Sequence, residues 1–116
     1  MEQRKIFSAS IKLTKGKHAL VDPDDWIWLN RKNWRAKKGI GGWYALKIYS
    51  RKGKRRYSYM HRLLTNCPKH LEVHHIDGNT LNNQKENLEI MTPGYHKEIH
   101  KILRIARKKQ SVPPGH

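Results

Sequence analysis

The placement of its histidines most constrains how this chain can fold. Five of the eight histidines in 116 residues lie between positions 70 and 100. Apolar runs at about Leu71–His75 and Leu88–Met91 predict two short strands around them. The tripeptide at 77–79, "DGN", is typical of a turn and opens a polar, asparagine-rich loop between the strands. The segment therefore predicts strand, loop and strand, with a histidine pair on the first strand.

A helix is predicted to follow the second strand. Thr92 is a favourable N-cap and Pro93 suits the first helical position, so the helix should start there and run to about Arg107. His96 and His100 are four residues apart and therefore lie one turn apart on one helix face. That separation allows both imidazoles to bind one metal ion. Such a pair alone is more often two surface residues, so a third ligand is required.

The adjacent histidines His74 and His75 are the candidates for that third ligand. Successive side chains of a strand point to opposite faces, so one histidine can face the helix while its neighbour faces elsewhere. A neutral imidazole binds a metal, whereas a histidine with a pKa near neutrality can take a proton from water. A metal and a base are two components that hydrolysis of a phosphodiester needs.

The front half of the chain predicts a small antiparallel structure with one helix. Short runs at Ile11–Leu13 and His18–Val21 around the turn at 15–16 predict a hairpin. A helix of two to three turns is predicted after Asp22 as N-cap, with Pro23 at its first position. The runs "GWYALKIYS" and "RRYSYM" flank "RKGK" and predict a second, longer hairpin. The four tryptophans are expected to fill a small core.

The charge of the chain predicts a polyanionic partner. Lys and Arg total 25 against 9 Asp and Glu, and residues 31–62 hold twelve of the cations and no acidic residue. This local excess favours nucleic acid over an anionic membrane surface, although a solvated sheet face is the alternative. The cations expected to contact DNA are Arg51, Lys52, Lys54, Arg55, Arg56 and Arg62.

Several classes of protein are not expected from the composition. No apolar run reaches the ~18 residues of a membrane span, and "MEQRKIFSAS" lacks the apolar core of a signal peptide. We therefore expect a cytoplasmic protein with no membrane partner. The single cysteine, Cys67, excludes an intramolecular disulfide and a cysteine-based zinc site, so histidines or carboxylates must hold any metal.

The order of the polar residues resembles the HNH endonuclease motif, which is built on the ββα-metal fold. The motif residues are His74, His75, Asn87 in "ENLEI", His96 and His100. The resemblance covers about residues 71–107. A looser resemblance, over about residues 11–64, is to the front end of phage-type HNH homing endonucleases; it rests on "LTKGKHALVD", "WLNRKNW" and "YMHRLL".

The resemblance implies an α+β fold, with a small antiparallel β-rich N-terminal part that carries one helix, followed by a ββα-metal motif. We expect a basic DNA-binding part at residues 1–66 and the nuclease motif at 67–110. A disordered tail is expected at 111–116. All of these belong to one compact domain, because the chain is too short for two independent cores.

The resemblance also implies a role for each motif residue. His75 would be the general base, and His74, His96 and His100 would hold one divalent metal ion. Asn87 would hold the loop and help to orient the backbone or ring of His75. Homing-type relatives usually carry Asp and Asn where this chain has His74 and His96, whereas colicin-type nucleases carry histidines. The imidazole-rich set leaves magnesium, manganese, nickel, cobalt and zinc as candidate ions.

The expected function is that of a metal-dependent HNH endonuclease that nicks or cuts DNA. The expected substrate is duplex DNA, and the expected active form is a monomer or homodimer. Two alternatives stay open. One is a catalytically inactive nucleic-acid-binding module in which the histidines hold a structural metal. The other is a basic structural or RNA-associated protein whose histidines are incidental.

Overall fold

Short strands and three helices make up the structure, a computed structural model that describes residues 7–110; the tail at 111–116 lies outside the described residues. In chain order the elements are β1 (Ala9–Lys12), β2 (His18–Val21), α1 (Pro23–Leu29), β3 (Arg35–Gly39), β4 (Gly42–Arg51), β5 (Lys54–Tyr59), α2 (Met60–Thr65), β6 (Glu72–His75), β7 (Leu88–Met91) and α3 (Pro93–Gln110). The α+β class is confirmed. So is the strand, loop, strand and helix order of the histidine segment.

The strands form three small antiparallel sheets, which pair β1 with β2, β3 with β4 and β5, and β6 with β7. Both predicted hairpins are present. β1 lies one to two residues before its predicted limits of Ile11–Leu13, whereas β7 has its predicted limits. A single 3₁₀ turn at Lys85–Asn87 leads into β7.

Helix α1 begins where the Asp22-Pro23 pair predicts, but Asp22 does not cap it with its side chain. Instead, Oδ2 of Asp22 accepts a hydrogen bond from the backbone N–H of Lys85 at 3.2 Å. Asp24 and Asp25 occupy the first turn, where negative charge is favourable. No helix within residues 7–110 is both long and apolar enough to cross a membrane.

The main core lies between the β1–β2 hairpin, α1 and the three-stranded sheet. Its buried side chains are Ile11, Leu13, Ala19, Val21, Leu29, Trp34, Ala36, Ala45 and Met60. Trp34 donates its Nε1–H to the carbonyl of Leu29 at 2.9 Å. Trp26 and Trp28 are each 38% exposed, so the expectation that all four tryptophans fill the core is wrong for these two.

Strand β2 is also hydrogen-bonded to the loop between β6 and β7. The N–H of Leu20 donates to the carbonyl of Leu81 at 2.8 Å, and the N–H of Asn83 donates to the carbonyl of Leu20 at 2.7 Å. Leu20 and Asn82 thereby form an isolated parallel bridge. The front half of the chain is thus joined to the histidine segment by backbone bonds.

The two hairpin tips share an unusual backbone. Lys15 and Gly16 have φ values of 58° and 69°, and Lys52 and Gly53 have φ values of 52° and 74°. Positive φ at both central residues is the requirement of a type I′ turn, which Asn-Gly satisfies best. A lysine is disfavoured there, because its Cβ crowds the backbone in the left-handed region.

We therefore expect Lys52→Asn to raise the free energy of unfolding by about 0.5 to 1 kcal/mol, since asparagine adopts the left-handed region at a lower cost than lysine does. Urea denaturation of the purified chain measures this change. Lys54→Asn is the matched control, because residue 54 lies in strand β5 and should gain nothing. Equal stability of the two variants would contradict the argument.

Candidate metal centre

Strand β6 and helix α3 bring three imidazoles together. His74, His96 and His100 each offer a ligand atom, and these atoms lie within 4.8 Å of one another. The ring centroid of His74 is 5.2 Å from that of each of the other two histidines. The structure therefore assembles the three residues that the sequence predicts as ligands.

A carboxylate orients one of these rings. Nδ1 of His96 lies 2.8 Å from Oε1 of Glu72, and Nε2 of His96 lies 2.9 Å from Nε2 of His100. Because a carboxylate accepts, Glu72 holds the proton on Nδ1 and leaves the lone pair of Nε2 directed toward His100. A histidine that binds a metal commonly donates its other N–H to a carboxylate in this way.

The surroundings of His74 and His100 favour the neutral form of these two imidazoles. Burial lowers the pKa of His74, and His96 and His100 lower it further. Burial also lowers the pKa of His100, followed by the effect of His96 and of nearby Arg107. Within residues 7–110, Nδ1 of His74 is buried without a hydrogen-bond partner. A neutral ring with a free nitrogen is the state that binds a metal, so this set of donors fits a divalent ion.

His75 lies on the other side of the strand, as the alternation of a strand predicts. Its ring centroid is 5.2 Å from that of His61 and 6.4 Å from that of Tyr44, whereas the ring contacts of His74 are to α3. The side chain of His75 is 5% exposed. Its Nε2 lies 2.8 Å from Oδ1 of Asn83, a residue with no exposed surface.

The contact with Asn83 determines which nitrogen of His75 is basic. In the assigned orientation the amide oxygen accepts, so the proton stays on Nε2 and Nδ1 is left to take up a proton. Burial lowers the pKa of His75, while the bond to Asn83 and the carboxylate of Asp77 raise it. Burial is the larger effect, so the pKa of His75 is lowered overall and the neutral ring is favoured.

The side chain of Asn87 forms hydrogen bonds within the loop between β6 and β7. Its amide N–H donates to Oδ1 of Asp77 at 2.9 Å, and its own Oδ1 accepts from the backbone N–H of Asp77 at 2.9 Å. Its backbone carbonyl accepts from the N–H of Ile76, the residue after His75, at 2.9 Å. The ring of His75 is contacted by Asn83.

Three residues that contact the histidines were not predicted from the sequence. Glu72 precedes His74 by two residues, so strand alternation places both on one face and could have indicated it. Asn83 lies among several similar asparagines in "LNNQKEN". His61 belongs to a separate helix, and nothing in the local pattern connects it with His75.

The cations predicted to contact DNA fall into two groups. Five are exposed at the free end of the β4–β5 hairpin: Arg51, Lys52, Lys54, Arg55 and Arg56. Arg62 differs, because its guanidinium donates to the carbonyls of Leu71 at 2.8 Å and Pro68 at 2.6 Å. Arg62 therefore stabilises the connection between α2 and β6, and its contact with DNA stays a prediction.

Burial of His61 should make the fold sensitive to acid. Burial, followed by the charges of His75 and Arg62, lowers the pKa of His61 from its ordinary 6.5 to about 3. Because the folded pKa is below the unfolded value, this group contributes stability above pH 6.5. The contribution is lost as the pH falls toward 3, at about 1.4 kcal/mol for each pH unit.

We therefore expect His61→Phe to shift the midpoint of acid unfolding to lower pH, since phenylalanine keeps the ring and removes its ionisation. Circular dichroism against pH, with chelator present so that metal loss does not contribute, measures the midpoint. His70→Phe is the control, because His70 is exposed. Identical midpoints for wild type and His61→Phe would show that burial of His61 does not cause the acid sensitivity.

One segment of the chain matches a family of known proteins. Residues 65–97 match the family model described as HNH endonuclease. The matched segment includes His74, His75, Asn87 and His96, and His100 lies one turn of α3 beyond it. The chain matches no curated protein and no solved structure. The family to which residues 65–97 of this chain are similar is thus the HNH endonuclease family.

Proposed function

We propose that the chain is a metal-dependent DNA endonuclease that hydrolyses phosphodiester bonds. The observation that carries the proposal is the cluster of His74, His96 and His100, with His96 oriented by Glu72, inside a segment of the HNH endonuclease family. His75, on the opposite side of the same strand, supplies a separate base.

The residues that would hold the metal are His74, His96 and His100. A bound divalent ion supplies Lewis acidity at the scissile phosphate and stabilises the departing oxygen. Three ligands within residues 7–110, one of them the exposed His100, leave a coordination position for substrate or water. Structural zinc sites usually have four protein ligands, so this count favours an enzyme over a module with a structural metal.

The set of donors also bears on which ion is used. Imidazole suits zinc, nickel and cobalt better than magnesium, which prefers oxygen ligands. We propose that the working ion belongs to the first group or is manganese.

His75 acts as the general base in this proposal. Its Nδ1 takes a proton from the attacking water, while Asn83 holds the proton on Nε2 and fixes the ring. Asn87 contributes indirectly, because its bonds to Asp77 and Ile76 hold the backbone that follows His75. Base and metal ligands therefore keep a fixed separation across strand β6.

The exposed cations at the end of the β4–β5 hairpin would contact the phosphates of duplex DNA. Residues 1–66 would mainly bind DNA and residues 67–110 would cut it. We also propose that the protein is related to phage homing endonucleases, that it acts as a monomer or homodimer, and that it is located in the cytoplasm.

The test is cleavage of supercoiled plasmid. We expect the purified chain to nick or linearise plasmid with at least one of magnesium, manganese, nickel, cobalt and zinc, and excess chelator should stop the reaction. Plasmid that stays supercoiled with each of the five ions would refute the proposed endonuclease function. If such a sample still bound DNA and retained metal tightly, the inactive module would be the correct function.

A further inference from the structure

Three lysines surround one tryptophan at a surface outside the HNH segment. The Nζ atoms of Lys15, Lys17 and Lys38 lie 5.6, 4.8 and 5.6 Å from the ring centroid of Trp43. Two of the lysines come from the β1–β2 turn and the third from strand β3. We call these four residues the lysine–tryptophan cluster.

The backbone holds the cluster in a fixed arrangement. Lys38 is the cross-strand partner of Trp43 in the β3–β4 ladder. The β1–β2 turn is attached to β3, because the hydroxyl of Thr14 accepts from the N–H of Ala36 at 2.9 Å. Lys15 has a φ of 58°, a left-handed conformation that disfavours lysine. Strain of this kind concentrates at functional positions.

The cluster carries positive charge that is not paired with nearby carboxylates among the described residues. Within residues 7–110, no carboxylate forms an ion pair with Lys15, Lys17 or Lys38. The face of Trp43 attracts each ammonium group, which orders the long side chains but does not neutralise them. Three ordered cations around one ring are therefore preorganised to bind an anion between or beside them.

The cluster adjoins the loop that supports His75. The hydroxyl of Thr80, in the loop between β6 and β7, donates to the carbonyl of Trp43. At the other end of this loop, the guanidinium of Arg107 lies 3.7 Å from where a Cβ on Gly78 would be. The loop thus has a cation of α3 at one end and the lysine–tryptophan cluster at the other.

We propose that the lysine–tryptophan cluster is a binding site for a backbone phosphate of the bound DNA, adjacent to the loop between β6 and β7. The proposal rests on the proposed function and extends it to residues outside both the HNH segment and the free end of the β4–β5 hairpin. A phosphate here fixes how the duplex lies across the loop, while the hairpin cations bind elsewhere along it.

The experiment is a salt titration of DNA binding by fluorescence anisotropy, in chelator so that no cleavage occurs. The triple variant Lys15→Asn, Lys17→Gln and Lys38→Gln keeps a residue suited to the turn at position 15. Each phosphate contact contributes about 0.9 to the slope of log K against log salt, so we expect the slope to fall by about one to three. Affinity near 0.1 M salt should fall by about tenfold or more.

Two controls separate a local site from general charge. Replacing the exposed Lys12, Arg31 and Lys32 by glutamine removes the same charge outside the cluster and should change the slope by less than about one. Trp43→Leu keeps the charge and removes the ring, so it should lower affinity severalfold at an unchanged slope. A slope for the triple variant equal to that of the control set would overturn the inference.

Single methylphosphonate substitutions in the duplex provide a second readout. One or two positions should weaken binding of the wild type and leave binding of the triple variant unchanged. If the wild type cleaves DNA but no position distinguishes the two proteins, the proposed phosphate site is wrong and the proposed endonuclease function is retained. A wild type that binds no duplex would overturn the inference and the proposed function together.

Discussion

His75→Ala is expected to lower the rate of plasmid cleavage by about 10²- to 10⁴-fold, the usual contribution of a general base. Binding of DNA and of metal should stay within a few fold of wild type, because the ring contacts of His75 are to His61 and Tyr44 and not to the metal cluster. Single-turnover cleavage under saturating enzyme measures the chemical step separately from binding.

Because His75 is buried, its removal could also loosen the fold, so two controls are needed. His75→Gln keeps a polar side chain near Asn83 but has no basic nitrogen, and it should be as inactive as the alanine variant at near wild-type melting temperature. His70→Ala removes an exposed histidine and should cleave at the wild-type rate. Wild-type activity in His75→Gln would exclude His75 as the base.

His96→Ala is expected to reduce the affinity for zinc or nickel by more than about 100-fold. Removing a residue that only hydrogen-bonds to a metal ligand lowers affinity by about 10- to 100-fold, and removing the ligand itself should lower it further. His96 has contacts to both of the other ligands and to Glu72, so its loss disrupts the whole cluster. Competition with a chromophoric chelator measures the affinity of the full chain without any assay of activity.

Glu72→Gln should give an intermediate result, with affinity lowered by about 10- to 100-fold, because the amide no longer holds the proton on Nδ1 of His96. Glu98→Gln removes an exposed carboxylate from the same helix as His96 and should leave affinity unchanged. If Glu72→Gln and Glu98→Gln bind metal equally well, Glu72 does not orient the site. If His96→Ala binds as the wild type does, the cluster is not the metal site.

Local signals predicted the histidine segment well. Thr92 caps α3 as its residue type predicts, since its hydroxyl accepts from the N–H of Tyr95 at 3.1 Å. Strand β7 has its predicted limits, and the four-residue spacing of His96 and His100 places both on one face of α3. These features depend on residues close in sequence, where capping and periodicity determine the structure.

Features that depend on contacts between distant residues could not be predicted. The loop has several asparagines, and only its folded path shows that Asn83 reaches the ring of His75 while Asn87 holds the backbone. Asp22 has the residue type and position of an N-cap, yet its carboxylate accepts from Lys85, 63 residues further along the chain. Such competition between a local and a distant partner leaves no trace in the local pattern.

Trp26 shows the same limit for burial. An indole is expected in the core of a small protein, but α1 has only seven residues and lies at the surface, so the ring of Trp26 stays partly exposed while its Nε1–H donates to the carbonyl of Ser10 at 3.0 Å. Counting large apolar residues predicts the volume of a core and not which rings occupy it.

The backbone bonds from Leu20 to Leu81 and Asn83 have a consequence for protein engineering. Nuclease cassettes are attractive parts for fusion to programmable DNA-binding proteins, and residues 67–110 would be the obvious fragment to transplant. That fragment would leave behind the strand that pairs with the Asn83 backbone, and hence the support of the His75 ring. A functional cassette from this chain must therefore begin before β1.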